Sequence, residues 1–156
     1  MDSTDRKILR ELQENGRLTN QDLAARVNLS PSPCLRRVRL LEESGVIQGY
    51  TALVDPQKYG LPIDVFVQIR LERHGEQTVR EFESRVQEID EILDFYLMTG
   101  TMDYLLHIVS TSLHAYELFM REKLHKIPGI AAIETSFAFG RVKRKKTFPP
   151  MHSLPA

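Results

Sequence analysis

The chain lacks several features that would each assign a protein to a class. It has one cysteine, Cys34, in 156 residues, which excludes a disulfide framework and a cysteine-rich zinc site. Its 21 basic and 21 acidic residues cancel, so any affinity for DNA must come from local patches or from several modules acting together. No apolar run is long enough to span a membrane, and the N-terminal MDSTD is polar and acidic where a signal peptide would be basic and then apolar. We therefore expect a cytoplasmic protein of one or two small domains.

Residues 30–45, SPSPCLRRVRLLEESG, have the pattern of a capped helix with two different faces. Ser30 is the predicted N-cap, because its hydroxyl can accept a hydrogen bond from a first-turn amide. Pro31 suits the first helical position, and Gly45 suits the left-handed residue that ends a helix. The apolar stripe consists of Cys34, Val38 and Leu41, and the opposite side presents Leu35, Arg36 and Arg39. An apolar inner face and a basic outer face are typical of a helix that reads DNA.

Two further helices are predicted before this one. Residues 4–15 carry Ile8, Leu9 and Leu12 at helical spacing, with Ser3 or Thr4 as the cap. Thr19 can cap a helix over residues 20–27, with Asp22 as its short-armed partner in a capping box. Three short helices, the last two joined by a brief turn at residues 28–29, predict a helix-turn-helix.

Residues 46–54, VIQGYTALV, are rich in β-forming side chains and end at the turn signal Asp55-Pro56. They predict a wing or a linking strand, after which residues 56–62 separate two halves of the chain. The predicted organisation is a helix-turn-helix domain over 1–50, a linking strand and hinge over 51–62, a second domain over 63–142 and a basic, Pro-containing tail over 143–156.

The second half follows the order βαββαβ. Strands are predicted over residues 65–72, 92–98, 104–109 and 131–142, and helices over 76–88 and 112–126. This order is the split βαβ or ferredoxin-like unit, whose helices cover one face of the sheet. The last strand has apolar side chains on both sides, so both sheet faces can be covered, which favours an oligomer. The predicted fold class is α+β.

Five motifs are spread over both halves of the chain: D-x-x-D-R-K-I-L-x-x-L-Q-x-N-G-R from Asp2, L-S-P-S-P-C-L-R-R-V-R from Leu29, L-L-E-E-S-G-V-I-Q-G-Y-T-A-L-V from Leu40, L-M-T-G-T-M-D-Y-L-L from Leu97 and L-x-x-I-P-G-I from Leu124. In these motifs the sequence resembles the Lrp/AsnC (feast/famine) family of bacterial and archaeal transcriptional regulators along nearly its whole length. The resemblance implies a winged helix-turn-helix joined to a ferredoxin-like ligand domain of the dimeric α+β barrel type. It also implies homodimers that form octamers or other higher oligomers, and a small-molecule effector that is usually an amino acid.

The partner implied for the first domain is double-stranded DNA. Because the first turn of a recognition helix enters the major groove, the two serines there are predicted to reach phosphates or base edges. Arg36 and Arg39 are predicted to bridge to guanine or phosphate, and Arg37, nearer the core, to make either an intramolecular pair or a phosphate contact. The alternative is a basic, solvated face on an ordinary surface helix. The side chains assigned to the DNA surface are Ser30, Ser32, Leu35, Arg36, Arg37 and Arg39.

The loop from Gly100 to Tyr104 joins two antiparallel strands and has two interpretations. It is either a hairpin turn, in which Gly100 supplies a positive φ and Asp103 bonds nearby amides, or an effector site. In the effector site, amides near Gly100 and Thr101 bind a ligand carboxylate while Asp103 binds the ammonium group. Many family members carry a second acidic residue where Thr101 stands here, so the sequence departs from them by one charge. The assigned effector residues are Gly100, Thr101, Met102, Asp103, Tyr104, Thr135 and Ser136.

Residues 141–146 contain the densest charge cluster, with Arg141, Lys143, Arg144, Lys145 and Lys146. The cluster is either a clamp on DNA wrapped around an assembly or a solvated tail end, and the solvated tail is the simpler interpretation. Residues 148–156, with three prolines, are predicted to be extended and mobile.

No set of residues indicates catalysis, a metal or a cofactor. The sequence has no recognisable Ser-His-Asp set, catalytic carboxylate pair or Gly-rich phosphate loop. The five histidines make no metal-binding spacing with one another or with Cys34, and each is predicted to lie at the surface. Two other functions stay open here: a nucleoid-associated architectural DNA-binding protein with little sequence specificity, and an enzyme built on the second domain.

Overall fold

The computed structural model describes residues 1–150 and divides the chain into two compact units. The first unit is Met1–Leu53 together with the segment that begins at Lys143, and the second is Val54–Val142. The basic segment therefore belongs with the helix-turn-helix as far as residue 150. The rest of the predicted extended tail, residues 151–156, lies outside the described residues.

The described part of the first unit contains three helices, α1 (Ser3–Glu14), α2 (Asn20–Arg26) and α3 (Pro31–Glu43), which confirms the predicted trio. The N-cap of α1 is Asp2, so the prediction of Ser3 or Thr4 was wrong. The amide of Asp5 donates to Asp2 Oδ1 at 2.9 Å, and the amide of Asp2 donates to Asp5 Oδ2 at 2.8 Å. Each carboxylate thus satisfies an amide that has no partner inside the helix.

One small core joins the three helices. Its buried members are Ile8, Leu23, Ala24, Val27, Cys34 and Leu41. Cys34 is completely buried, and burial raises the pKa of its thiol. It therefore packs as a small apolar residue and is not a reactive nucleophile.

The predicted strand over residues 46–54 is wrong for the single chain. Within the described residues the segment pairs with no strand, and its hydrogen bonds lead back to the end of α3. The amide of Ile47 donates to Leu41 O at 3.0 Å, and the hydroxyl of Tyr50 donates to Glu42 Oε1 at 2.9 Å. A strand forms only where a neighbouring strand completes its ladder, so β-forming side chains alone were not sufficient.

The expected hinge contains a short helix, α4 (Pro56–Tyr59). Asp55 caps it, because Asp55 Oδ1 accepts from the amides of Gln57 at 3.0 Å and Lys58 at 3.3 Å. Gly60, with φ +98°, ends it in the left-handed region. The turn signal at Asp55-Pro56 is therefore also the start of a helix.

The second unit has the predicted order of strands and helices. After α4 come β1 (Ile63–Leu71), α5 (Glu76–Gln87), β2 (Ile92–Leu97), β3 (Tyr104–Ser110), α6 (Leu113–Glu122), a single 3-10 turn (Leu124–Lys126) and β4 (Ile130–Phe137). The helix predicted over 112–126 is therefore divided after Glu122. β4 ends well before the predicted residue 142, because it pairs only with β1 and Phe137 already lies opposite Val65, near the start of β1.

The four strands form one antiparallel sheet in the order β2-β3-β1-β4. This confirms the ferredoxin-like arrangement. Alternate side chains of β1 and β3, such as Val65, Val67, Leu106 and Ile108, are fully buried and pack in one core with α5 and α6. The other sheet face, called the open face below, presents Asp64, Phe66, Gln68, Arg70, Asp94, Tyr96, Leu105, His107, Glu134 and Ser136.

Among the described residues, none of the helices has the length and apolar content needed to cross a membrane.

Candidate DNA-binding surface and effector loop

Helix α3 has the two faces that its sequence predicts. Cys34 and Leu41 are buried in the core of the first unit, while Leu35, Arg36 and Arg39 are exposed. Gly45 has φ +72° just after the helix end, as expected for a left-handed stop. The exposed surface of α3 therefore carries the side chains assigned to DNA, apart from Arg37.

The hydroxyl of Ser30 does not cap α3, although Ser30 is the N-cap residue and its backbone is extended. A cap side chain normally accepts from the second or third helical amide. The third helical residue is Pro33, which has no N–H, so that donor is missing. Neither Ser30 nor Ser32 uses its hydroxyl in a hydrogen bond within the described chain, so both hydroxyls are free for an external partner.

At the start of α2, unlike that of α3, the side chain of the N-cap residue does accept a hydrogen bond from a helical amide. Thr19 Oγ1 accepts from the amide of Asp22 at 3.1 Å, as predicted, and its hydroxyl donates to Asp22 Oδ2 at 2.6 Å. The short aspartate arm binds the hydroxyl of the cap instead of its backbone amide. The side-chain amide of Asn20 then donates to Pro31 O at 2.9 Å, which ties the start of α2 to the start of α3.

Arg37 forms an intramolecular pair, one of its two predicted roles. Its Nη1 donates to Asp5 Oδ1 at 2.7 Å and to Asp2 Oδ2 at 2.8 Å. The hydrogen bonds to Asp5 and then to Asp2 raise the pKa of the guanidinium. The amide of Asp5, and after it Arg37, lower the pKa of the Asp2 carboxyl. Arg36 and Arg39, by contrast, make no ion pair with any described residue.

The loop between β2 and β3 is closed by its backbone. The amide of Met98 donates to Asp103 O at 2.7 Å, and Gly100 has φ +120°, as the hairpin interpretation predicts. Thr101 is exposed and Met102 is half-buried. Gly100 and Thr101 are both exposed at the tip of the loop, and their backbone amides donate to no described residue.

Both carboxylate oxygens of Asp103 have partners in the chain. The amide of Leu71 donates to Oδ2 at 2.8 Å, and His74 Nε2 is hydrogen-bonded to Oδ1 at 2.8 Å. The Leu71 amide first, and His74 after it, hold the pKa of this carboxyl below its ordinary value. Asp103 therefore fastens the loop to the end of β1, and its binding of an effector ammonium stays a prediction.

The remaining residues assigned to the effector lie apart from the loop tip. The side chain of Tyr104 is 2% exposed and donates to Glu83 Oε1 at 2.9 Å, and burial followed by Glu83 raises its pKa to about 12. Thr135 Oγ1 is hydrogen-bonded to the hydroxyl of Tyr116 at 3.0 Å on the helix-covered side, while Ser136 lies on the open face. Both are on β4, at the opposite edge of the sheet from β2, so one chain does not bring them to the loop.

His107 is the notable residue that sequence reasoning misplaced. It is 7% exposed, so the prediction of a surface histidine was wrong. Its Nδ1 lies 3.0 Å from Asp94 Oδ2, its Nε2 is hydrogen-bonded to Asp64, and the ring of Phe66 stacks on it with centroids 4.9 Å apart. The available signal was its position between apolar residues in the strand YLLHIVS, since a polar group inside such a strand needs partners.

Comparisons with known proteins also divide the chain in two, but the second family model extends through residue 148, into the segment that packs with the first unit in the structure. Residues 1–48 match the family model of the winged helix-turn-helix DNA-binding domain, and residues 64–148 match that of the Lrp/AsnC ligand binding domain. The leucine-responsive regulatory protein of Klebsiella pneumoniae is 42% identical over 144 residues, which are 92% of this chain and 88% of that protein. The Escherichia coli K12 protein of the same name gives the same values.

Solved structures are similar over the whole chain. A transcriptional regulator from Neisseria meningitidis in complex with L-Met has a TM-score of 0.92 and 38% identity and covers 99% of both chains. An AsnC family regulator from Agrobacterium tumefaciens has a TM-score of 0.91 and 40% identity, with 99% of this chain and 100% of that chain covered. The domains and relatives are those of regulators and not of enzymes, which excludes the enzyme alternative. The chain belongs to the Lrp/AsnC family of transcriptional regulators and joins a DNA-binding helix-turn-helix domain to the ligand-binding domain of that family.

Proposed function

We propose that two copies of α3 in a dimer read successive half-sites of a pseudo-palindromic operator, and that an amino acid bound by the second unit regulates this contact. The observation that carries the proposal is the exposed face of α3, where two hydroxyls and two guanidinium groups have no partner within the described chain. DNA supplies acceptors of matching chemistry, because phosphates and guanine edges accept from serine and arginine.

The roles of the individual side chains follow from their positions on α3. Ser30 and Ser32 lie in the first turn, where a recognition helix approaches the groove, and we assign them to phosphates or base edges. Arg36 and Arg39 are assigned to guanine or to phosphate, and Leu35 to apolar contact with a base. Arg37 holds α1 against α3 through Asp2 and Asp5 and contributes to DNA binding mainly by keeping that arrangement.

A second copy of the chain is the proposed partner of the open face. Phe66 and Tyr96 are 37% and 51% exposed there, and apolar side chains exposed on a sheet face are stabilised by burial against another sheet. Two-fold symmetry would then present two α3 helices to one duplex. We expect Phe66→Asp to shift the wild-type dimer to monomer in sedimentation at graded concentrations, and Tyr59→Asp, an exposed aromatic on α4, to leave it unchanged.

The loop between β2 and β3 is the proposed effector site. The similar Neisseria regulator was solved with L-Met, and the loop offers amides for a carboxylate beside the acidic Asp103 for an ammonium group. Thr135 and Ser136 are included only if a neighbouring copy brings them to the site, and Tyr104, whose ring is buried, is assigned only to supporting the loop from the core. An effector shifts the assembly only through its different affinities for the two states, so it must contact more than one copy or reorder the loop.

The first experiment compares operator and random DNA. The wild-type protein is titrated by gel shift against the upstream region of its own gene and against a shuffled fragment of the same length. We expect tighter binding to the upstream fragment, by about 10³-fold or more for a sequence-specific regulator. Equal binding to both fragments would contradict the proposal and favour an architectural protein.

The second experiment identifies the effector. Each proteinogenic L-amino acid is added in a thermal-shift measurement, because a ligand that prefers the native state raises the unfolding midpoint. Asp103→Ala is expected to remove the shift and the effect of the ligand on the gel shift while leaving DNA binding in place. Asp90→Ala, which removes an exposed carboxylate without an ion pair in the described structure, is the control. An unchanged response in Asp103→Ala would reject the assignment of this residue.

A further inference from the structure

The neutral charge of the chain conceals an unequal distribution between the two units. Residues 1–53 carry eight basic and seven acidic residues, a net charge of +1. The second unit, residues 54–142, carries nine basic and fourteen acidic residues, a net charge of −5. Residues 143–146 add four cations to the first unit and raise its net charge to +5. The net positive charge of the DNA-binding unit therefore comes mainly from the C-terminal basic segment, Lys143–Lys146, because acidic residues nearly balance the cations of residues 1–53.

The chain that follows this segment is attached to the helix-turn-helix. The amide of Phe148 donates to Gln13 Oε1 on α1 at 3.2 Å, and Thr147 and Pro150 are half-buried. The ring of Tyr50, which bonds the end of α3 through Glu42, lies against Gly16 just beyond the same end of α1. The basic segment is thus held to the unit that contains α3, and a freely solvated tail would need no such attachment.

The four cations are available to an external anion. Lys143, Arg144, Lys145 and Lys146 are all exposed, and none forms an ion pair or a side-chain hydrogen bond with a described residue. Elsewhere in the unit, Arg10, Arg26 and Arg37 are paired with carboxylates. Unpaired cations neutralise DNA phosphates without first giving up an intramolecular partner.

We infer that Lys143–Lys146 form a second DNA contact of the first unit, which binds backbone phosphates of the same duplex that α3 reads. The inference rests on the proposed DNA binding. Such contacts set affinity and its salt dependence without reading sequence. In this arrangement α3 recognises the bases. The basic segment provides the electrostatic attraction that residues 1–53 alone, with a net charge of +1, would not provide.

The test replaces the four residues together, with Lys143→Gln, Arg144→Gln, Lys145→Gln and Lys146→Gln in the full chain. Operator and shuffled DNA are titrated by fluorescence anisotropy over a series of salt concentrations. Each lost phosphate contact lowers the slope of log affinity against log salt by about 0.9. For two to four contacts in each chain of the dimer, and so four to eight in the complex, the affinity lost between about 50 and 200 mM salt should be about 10²- to 10⁴-fold smaller in the variant than in the wild type. Operator and shuffled DNA should weaken by the same factor.

A matched control removes four cations from the second unit instead, with Arg80→Gln, Arg85→Gln, Arg121→Gln and Lys126→Gln; each of these is exposed and lies in an ion pair with a glutamate. This control has the same net charge as the test variant and should keep the wild-type slope. A rescue variant with Lys143→Arg, Lys145→Arg and Lys146→Arg retains every positive charge of the segment and should also keep the wild-type salt slope. Equal loss of slope in the test variant and the control would show a general charge effect and overturn the inference.

Two other outcomes also overturn it. One is an unchanged slope in the test variant when the wild type binds the operator with a clear salt dependence. The other is a change in oligomeric state by sedimentation, which would place the segment in assembly and not on DNA. Absence of any DNA binding by the wild type would instead contradict the proposed function, so the two failures are distinguishable.

Discussion

Helix α3 and the loop between β2 and β3 differ in whether their polar side chains have hydrogen-bond partners within the chain. On α3 the hydroxyls of Ser30 and Ser32 have no partner in the described chain. In the loop, Asp103 already bonds Leu71 and His74. Exposed donors without partners cost little while water solvates them, and they bind strongly when phosphates replace that water. A carboxylate whose two oxygens already accept hydrogen bonds can bind a ligand only if those hydrogen bonds are shared with the ligand or broken. The contrast fits the two proposed roles, a DNA-binding surface on α3 that needs no rearrangement and an effector loop that rearranges when a ligand binds.

The two units also differ in how much core supports these surfaces. Among the residues that the structure describes, the core of the first unit has six buried members and that of the second has thirteen. Phe82 lies at the centre of the larger core, in contact with the rings of Phe95 and Tyr104. Phe82→Ala should therefore lower the free energy of unfolding of the second unit by about 3–5 kcal/mol, since it leaves a cavity. Urea denaturation followed by circular dichroism measures this. Phe82→Leu keeps most of the apolar volume and should therefore lower the free energy of unfolding clearly less than Phe82→Ala does. Equal decreases in the two variants would show that the site relaxes to fill the cavity.

The next prediction concerns the free donors of α3. Arg36→Ala and Arg39→Ala should each weaken operator binding by about 1–3 kcal/mol, because each removes an exposed charged donor that we propose binds guanine or phosphate. Arg80→Ala and Arg85→Ala, two exposed arginines of α5 in i,i+4 ion pairs, are the matched controls and should bind as the wild type does. Gel shifts on operator and shuffled DNA separate the roles: loss on the operator alone indicates base contact, and equal loss on both indicates phosphate contact. Operator binding by both α3 variants at wild-type affinity would exclude α3 as the reading helix.

The hydrogen bonds of Asp103 predict how the stability of the fold depends on pH. Its folded pKa is lowered, chiefly by the Leu71 amide, so its ionised form stabilises the fold above the unfolded pKa of about 4. That stabilisation is lost as the pH falls through the lower folded pKa. Asp103→Asn, which is neutral at every pH, should be about 1 kcal/mol less stable near neutrality. Thermal unfolding of both proteins from neutral pH to below about pH 4 should show this difference shrinking; a difference independent of pH would mean that the charge of Asp103 is not involved.

The smallest expected effect compares two helix caps. Thr19→Ala should destabilise the first unit by about 1 kcal/mol, because it removes the bond to the amide of Asp22. Ser30→Ala should cost no more than a few tenths of a kcal/mol, since the Ser30 hydroxyl caps nothing. The same Ser30→Ala variant should weaken DNA binding, which Thr19→Ala should leave unchanged. Equal destabilisation by both substitutions would show that Ser30 caps α3 in solution after all.

The sequence by itself determined the elements whose causes are local. The periodicity of apolar residues predicted the three helices of the first unit and the βαββαβ order of the second, because each pattern depends on residues only a few positions apart. The split between a buried stripe and an exposed basic face of α3 followed from the same spacing, as did the left-handed residues Gly45 and Gly100.

Tertiary structure decided the features that depend on residues distant along the chain. Residues 46–54 have β-forming side chains but find no partner strand in the described chain, and β4 ends where β1 provides no further partner. Arg37 meets Asp2 and Asp5, Asp103 meets Leu71 and His74, and His107 meets Asp64 and Asp94 only after the chain folds. The spacing of residues along the sequence cannot predict these contacts. A hydrogen bond needs its two groups within about 3 Å of each other, and only the folded chain brings them that close.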